Sequence, residues 1–151
     1  MVAAFRPTVM IGASGRGGLF TAAVLQALAG VTERPVVFAL SNPEPEIRPE
    51  LAREARPDCV IATGRSDYPN QVNNVLGFPG IFRGAVDANA PRITHEMLIA
   101  AVDVLVRETP AGELLPNALD KKVHLEVARA VAETAMKQGI ARAEYVPYVE
   151  G

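Results

Sequence analysis

The chain is poor in the features that mark special environments. With one cysteine, Cys59, among 151 residues, no disulfide can form within the chain. That cysteine lies inside an apolar, strand-like run and reads as a small buried hydrophobe rather than a thiol nucleophile. There is no block of like charges, and 15 basic residues stand against 17 acidic ones for a formal net charge of −2. Nothing therefore forms an electrostatic footprint for nucleic acid, although an anionic small molecule is compatible with this balance. No uninterrupted apolar stretch approaches the roughly 18 residues of a membrane-spanning helix. The opening residues, MVAAFRPTVMIG, lack the basic start, long apolar core and cleavage site of a secretory signal, so a cytoplasmic protein is expected. Internal repeats and low-complexity tracts are also missing.

What is present is a globular composition, 49% hydrophobic and 21% charged, in a length that suits one domain with one core. Three short runs rich in β-branched residues, TVMIGA (8–13), PVVFAL (35–40) and CVIATG (59–64), alternate with helix-compatible segments. That alternation predicts an α/β fold with a parallel sheet covered on its faces. Between the first two runs, LFTAAVLQALAG predicts a helix with Leu19, Val24, Leu25 and Leu28 on one side, ended by Gly30. Between the second and third, a shorter helix runs from about Pro49 to about Ala55, with proline in its first turn. Downstream, a helix is expected to begin near Asn70 to Val72, with a break near Pro79. THEMLIAAVDVLVRE follows, N-capped by Thr94, its apolar side carrying Met97, Leu98, Ala101, Val102 and Leu105. Residues 109–119 read as a loop, and a last helix spans about Asp120 to Gln138, closed by Gly139, with Val123, Val127, Ala130, Val131 and Ala135 as its core stripe.

Each strand ends in small or polar residues: IGASG at 11–15, LSNP at 40–43 and ATGRSD at 62–67. In open α/β sheets ligands sit outside the carboxyl ends of the strands, so the three clusters converge on one edge. The amide-rich loop ATGRSDYPNQVNNVLGFPGIFRG (62–84) follows the third strand, and its Asn73 and Asn74 are placed in the first turn of the expected helix. There, free backbone N–H groups and neutral amides would suit a carboxylate. The glycines at 12, 15, 17 and 18 do not match G-x-G-x-x-G in any register, so GASGRGG is no dinucleotide fingerprint. It reads either as a turn that needs positive φ or as a cofactor wall. Asn42 precedes Pro43, which favours an extended backbone and a side chain projecting from the strand end, or else merely opens a turn. Arg65 and Asp67 could serve a phosphate and a cation, or pair with each other. Glu44, Glu46 and Asp67 are too scattered for a metal set, Tyr68 is the only plausible proton carrier among the strand-end residues, and His95, His124 and the terminal lysines have no catalytic setting. Residue chemistry alone thus describes a ligand-binding α/β domain whose site is completed elsewhere.

Residues 7–106 resemble the NAD-binding domain of malic enzymes, which oxidatively decarboxylate malate to pyruvate. The strings that carry the resemblance are PTVMIGASGRGGLFT, RPVVFALSNPEPEIRPE and, above all, ATGRSDYPNQVNNVLGFPGIFRGA; residues 107–142 are similar to the family's closing helices with lower specificity. GASGRGGLFT resembles the larger malic enzymes, whereas SNPEPE and TGRSDYPNQVNN resemble the compact bacterial type. The resemblance implies that residues 1–151 are the C-terminal portion of a Rossmann-like NAD(P)-binding domain. It places Asn42 beside malate and the nicotinamide, Asn74 against malate with Asn73 adjacent, and Gly12, Ala13 and Ser14 with Asn42 on the cofactor side. The family's catalytic tyrosine and lysine, its Mg²⁺ or Mn²⁺ ligands and its pyrophosphate loop correspond to sequence upstream of Met1, so no catalytic or metal-binding residue is assigned here. The residue that separates NAD from NADP belongs to that same upstream part, and the family forms homo-oligomers. By this reading the chain supplies nucleotide- and malate-binding strand ends and is silent on its own. The competing reading is a stand-alone, non-catalytic nucleotide-binding or interaction module; a phosphate-binding protein would need cations that the strand ends lack.

Overall fold

The computed structural model describes residues 2–28 and 30–146, and these divide into two compact units, one ending at Val72 and the other beginning at Asn73. Each has its own apolar cluster, so the single core expected from length becomes two.

The first unit holds three parallel strands in the order β1-β2-β3, with β1 at Val9–Gly12, β2 at Val36–Ala39 and β3 at Val60–Thr63. Val9, Val36 and Val60 lie level across the sheet. Strand side chains alternate between faces, so Val37 and Ala39 on β2 share a side, which Ile61 on β3 joins. They are covered by Leu25 of helix α2 (Ala22–Ala27), by Leu28 just beyond it, and by Ile47 and Ala52 of helix α3 (Pro49–Ala55) with its approach. A one-turn helix α1 spans Val2–Phe5. Helix α2 starts three residues later than its apolar pattern suggests, because the Thr21 hydroxyl accepts from the Val24 N–H and fixes the first turn there, leaving Leu19 exposed. It also stops earlier, with Leu28 as its C-cap. Pro49 occupies the first turn of α3, where its missing N–H removes nothing from the helix. Strand β1 pairs only with β2 among the described residues, and its Val9 and Ile11 are 47% and 64% exposed.

The second unit is helical. A single 3₁₀ turn at Asn74–Leu76 leads into α4 (Phe78–Asp87), followed by α5 (His95–Arg107) and α6 (Lys121–Lys137). Thr94 caps α5 by accepting from Met97 N–H, and Asp120 caps α6 by accepting from Lys122 N–H. Helix α6 packs against both α4 and α5. Its buried stripe is consequently wider than one row: Ala128 and Ala132 join Val123, Val127, Val131 and Ala135, while Ala130 is half-buried. On α5 the buried residues are Met97, Ala101 and Val104; Leu98 and Val102, expected on that side, are 41% and 50% exposed. The α4–α6 contact is close because Gly80 and Gly84 face it: a methyl group on Gly80 would stand 2.7 Å from Val127 Cγ1, and one on Gly84 would meet the Ala128 carbonyl oxygen. No helix among the described residues is long and apolar enough to cross a membrane.

Candidate functional site

At the carboxyl end of β1 the chain turns through Gly12, Ala13, Ser14 and Gly15, the last with φ 69°. Gly18 has φ 70°, so two of the loop's glycines hold the left-handed conformation that glycine tolerates at least cost, in accord with the turn reading of GASGRGG. Gly12 is buried for a different reason: a Cβ there would stand 2.5 Å from the Glu46 carboxyl carbon. Ala13 and Ser14 are exposed.

The carboxyl end of β2 supplies Ser41 and Asn42. Ser41 is buried and Asn42 exposed, followed by a cis peptide to Pro43. Asn42 Nδ2 donates to the Gly64 carbonyl at 3.3 Å, across to the end of β3. Gly64 permits this approach, since a Cβ there would lie 2.6 Å from Leu40 O and 2.7 Å from Asn42 Nδ2. Arg65 reinforces the same bridge: Nη1 donates to Pro43 O at 2.6 Å, while Nε and Nη2 grip Asp67 at 2.8 and 2.6 Å. The alternative of a mutual Arg65–Asp67 pair is therefore the arrangement found. Hydrogen bonding from Arg65 holds the Asp67 carboxyl below its ordinary range, and Asp67 in turn holds the guanidinium above its own. Tyr68 lies under that guanidinium, its ring centroid 5.5 Å from Arg65 Cζ, and so has a structural partner.

Asn73 and Asn74 open the second unit, in a setting unlike the one expected. No helix begins at Asn70 to Val72. Asn70 has φ 60° and donates through Nδ2 to Ile61 O at 3.2 Å, and Gln71 and Val72 run extended beside β3, with Val72 N–H donating to Thr63 O at 2.8 Å. The Val72 donor is thus used by β3, and with no helix starting at these residues the helix N-terminus that would have favoured an anion is not formed there. Asn73 caps the 3₁₀ turn, its Oδ1 accepting from Val75 N–H at 3.0 Å. Asn74 is exposed, and its side chain makes no hydrogen bond among the described residues. The break expected near Pro79 falls at Gly77, between the 3₁₀ turn and α4, and Pro79 itself sits in the first turn of α4.

Other candidates fall to structural roles. Cys59 is half-buried against the first core, and burial pushes its thiol up. His124 Nε2 bonds the Ala118 carbonyl at 2.8 Å, and Lys122 pairs with Glu108 at 2.7 Å. Among the described residues no three His, Cys, Asp or Glu side chains gather as a metal set. A groove of about 1120 Å³ in the first unit lies between α2 and α3 and is lined by Phe20, Gln26, Ile47, Arg48 and Leu51 among others; it includes none of Gly12, Ala13, Ser14 or Asn42.

Sequence reasoning missed Glu46 and Ser41. Glu46 is fully buried, and its carboxylate accepts from Ser14 N–H (2.9 Å), Ser14 Oγ (2.8 Å), Ser41 Oγ (2.5 Å) and Ser41 N–H (3.1 Å). Burial opposes ionisation, but these donors outweigh it and bring the pKa from 4.5 down to about 2. The sequence signal was weak. Glu44 and Glu46 flank the same proline, and only the neighbouring Ile47 hints which one turns inward.

Comparison with known proteins bears on the family and the fold. Residues 1–136 match the family described as malic enzyme, NAD binding domain. The chain is 45% identical to the NADP-dependent malic enzyme of Halomonas elongata, over 91% of this chain and 36% of that protein. It is 50% identical to the bifunctional malic/malolactic enzyme of Bacillus subtilis, over 89% of this chain and 33% of that one. Among solved structures, the malic enzyme from Pyrococcus horikoshii superposes with a TM-score of 0.79 at 43% identity, covering 91% of this chain and 32% of that one. The chain thus spans about a third of the length of these relatives. Parallel strands ending in the GAS, SNP and TGRSD clusters, together with a family match running from the first residue into α6, place this chain in the malic enzyme family, within its NAD-binding domain.

Proposed function

We propose that this chain is the C-terminal portion of the NAD(P)-binding domain of a malic enzyme and acts in the oxidative decarboxylation of L-malate to pyruvate and CO₂. The observation that carries this reading is the common edge of the first unit, where exposed Ala13, Ser14 and Asn42 stand at the carboxyl ends of parallel strands. The residues suit a nicotinamide wall better than a phosphate cradle. Ser14 N–H goes to Glu46, Gly15 N–H to Ser41 Oγ, Arg16 N–H to Ser14 Oγ and Gly18 N–H to Pro45 O. With these donors already engaged, a pyrophosphate would be held by the part of the enzyme outside this chain.

NAD or NADP supplies hydride acceptance when bound, and relatives with either cofactor in their names match the chain. Asn42, with Gly12, Ala13 and Ser14, would face the nucleotide. Asn74, with Asn73 beside it, would offer an amide to a malate carboxylate. Mg²⁺ or Mn²⁺ and the proton-transfer groups would come from the rest of the enzyme, which acts as a homo-oligomer in the cytoplasm. The test is malate-dependent reduction of NAD or NADP by the complete enzyme containing this chain, with Mg²⁺ or Mn²⁺ present. Turnover with malate is expected there and none from the 151-residue chain alone; a complete enzyme that binds nucleotide but leaves malate unchanged would refute the proposal in favour of a non-catalytic module.

A further inference from the structure

Among the described residues, Glu46 is a buried charge with no cation paired to it. Its nearest charged neighbours in sequence, Glu44 and Arg48, are exposed and paired with each other at 3.1 Å. A buried carboxylate is costly unless hydrogen bonds replace water, and here every one of them comes from the ends of two different strands. Oε1 receives the Ser14 N–H, the Ser14 hydroxyl and the Ser41 hydroxyl; Oε2 receives the Ser41 N–H.

The network extends outward by one layer. The Ser41 hydroxyl that donates to Glu46 accepts from Gly15 N–H at 2.8 Å, and the Ser14 hydroxyl accepts from Arg16 N–H at 3.1 Å. Three consecutive backbone donors of the loop after β1 therefore terminate, directly or through one hydroxyl, on a single carboxylate 30 residues or more away in sequence. The backbone of the same segment closes the seam: Gly18 N–H donates to Pro45 O at 3.2 Å and Phe20 N–H to Glu46 O at 2.9 Å. Only glycine fits at position 12, because the Glu46 side chain fills the space of a Cβ.

We propose that Glu46 is a positioning residue: its carboxylate latches the Gly12–Arg16 loop to the Ser41–Asn42 strand end and so presets Ala13, Ser14 and Asn42 for the nucleotide. The inference rests on the NAD(P)-site reading above and adds to it the part that holds the site in shape. Preorganisation of this kind matters because loop ordering otherwise opposes binding. The charge is essential. Four donors converge on the two oxygens, and an amide can accept on only one of them while turning its NH₂ toward donors on the other side.

The test uses the complete enzyme with Glu46→Gln, Glu46→Asp, Ser14→Ala and Ser41→Ala, and Glu50→Gln on the exposed first turn of α3 as control. Nucleotide dissociation constants are measured by calorimetry at a temperature where circular dichroism shows each variant fully folded. Glu46→Gln is expected to weaken nucleotide binding at least tenfold and Ser14→Ala about threefold. Glu46→Asp, one methylene short, should not rescue, and the control should stay within twofold of wild type. The Ser14→Ala/Glu46→Gln double variant should bind no worse than Glu46→Gln. If Glu46→Gln is folded and binds nucleotide within twofold of wild type, the latch is merely structural and the proposal is overturned. If Glu46→Gln does not fold, Ser41→Ala, which removes a buried hydroxyl that donates to Glu46 and is not among the residues placed against the nucleotide, decides: unchanged affinity overturns the proposal, and a loss at unchanged melting temperature supports it. Failure of the functional reading is separable. Should wild type bind neither NAD nor NADP, that reading falls, and amide exchange at Ser14, Gly15 and Ser41 judges the latch by itself. Acceleration of tenfold or more in Glu46→Gln supports it, and equal rates refute it.

Discussion

Glu46, Asn73 and Asn74 each make a claim that one substitution can check. Because the Glu46 carboxyl titrates at about 2 when folded against 4.5 ordinarily, its contribution to stability is full above pH 4.5 and is lost as the pH falls toward 2. Ionisation linkage of that size is on the order of 3 kcal/mol at neutral pH. The stability gap between wild type and Glu46→Gln, measured by urea unfolding, should accordingly shrink from pH 6 to pH 2, by about that amount. A gap that does not change with pH would mean the carboxylate is not ionised in the fold. Asn73 and Asn74 separate in the opposite sense. Asn73 spends its side-chain oxygen on Val75 N–H, so Asn73→Ala should cost about 1 kcal/mol of stability. Asn74→Ala should leave stability alone and, in the complete enzyme, reduce malate affinity by about 1.5–3 kcal/mol, the worth of a hydrogen bond to a charged group. Asn74→Asp should be worse, since a second negative charge about 4 Å from a carboxylate adds repulsion of about 4 kcal/mol at an effective dielectric near 20. The informative comparison is kcat/KM for malate beside the nucleotide dissociation constant. Equal mildness of Ala and Asp would remove Asn74 from the malate site.

Among the elements, the α4–α6 contact is the most exacting. Helix interiors normally gain about 1 kcal/mol when glycine becomes alanine. Gly84 should behave otherwise, because its missing side chain is where the Ala128 carbonyl and Val131 Cβ of α6 pass, the latter 2.9 Å from where an added methyl group would stand. Overpacking of a close contact costs about 1–3 kcal/mol, so Gly84→Ala is expected to lower the melting temperature. Gly77→Ala, where the added carbon would lie 3.4 Å from Ile81 Cδ1, should be tolerated. If both substitutions stabilise, the two helices have room that the packed geometry denies. The same contact explains the wide buried stripe on α6: a helix embraced by two neighbours hides more than one row.

For the whole molecule, the exposed edge of β1 is the dominant liability. Its outer backbone groups have no strand partner among the described residues, and Val9 and Ile11 stand exposed beside them. Such an edge invites pairing with another chain. The 151-residue chain by itself should therefore self-associate at micromolar concentration, and Ile11→Lys should reduce that association by charging the edge. Size-exclusion chromatography with light scattering reads both. A monomeric wild-type chain unaffected by Ile11→Lys would show that the edge is protected by other means.

Much of this protein was settled by short-range chemistry that a sequence carries openly. The three strands, the cap at Thr94, the start of the last helix near Asp120, the first-turn Pro49 and the glycine after α6 with φ 67° depend on residues within about one turn of each other. The strings SNPEPE and TGRSDYPNQVNN likewise carried the family resemblance, borne out by the match over residues 1–136. Tertiary structure decided the rest, because those outcomes depend on partners far along the chain. Val72 is held extended by Thr63 rather than starting a helix. Leu98 and Val102 turn outward because Met97, Ala101 and Val104 fill the side of α5 that is buried. The inward turn of Glu46 is fixed by serines on two strand ends, one of them 32 residues away. A carboxylate looks the same in sequence whether it faces water or four converging donors. Only the packing of β1 beside β2 brings those donors together.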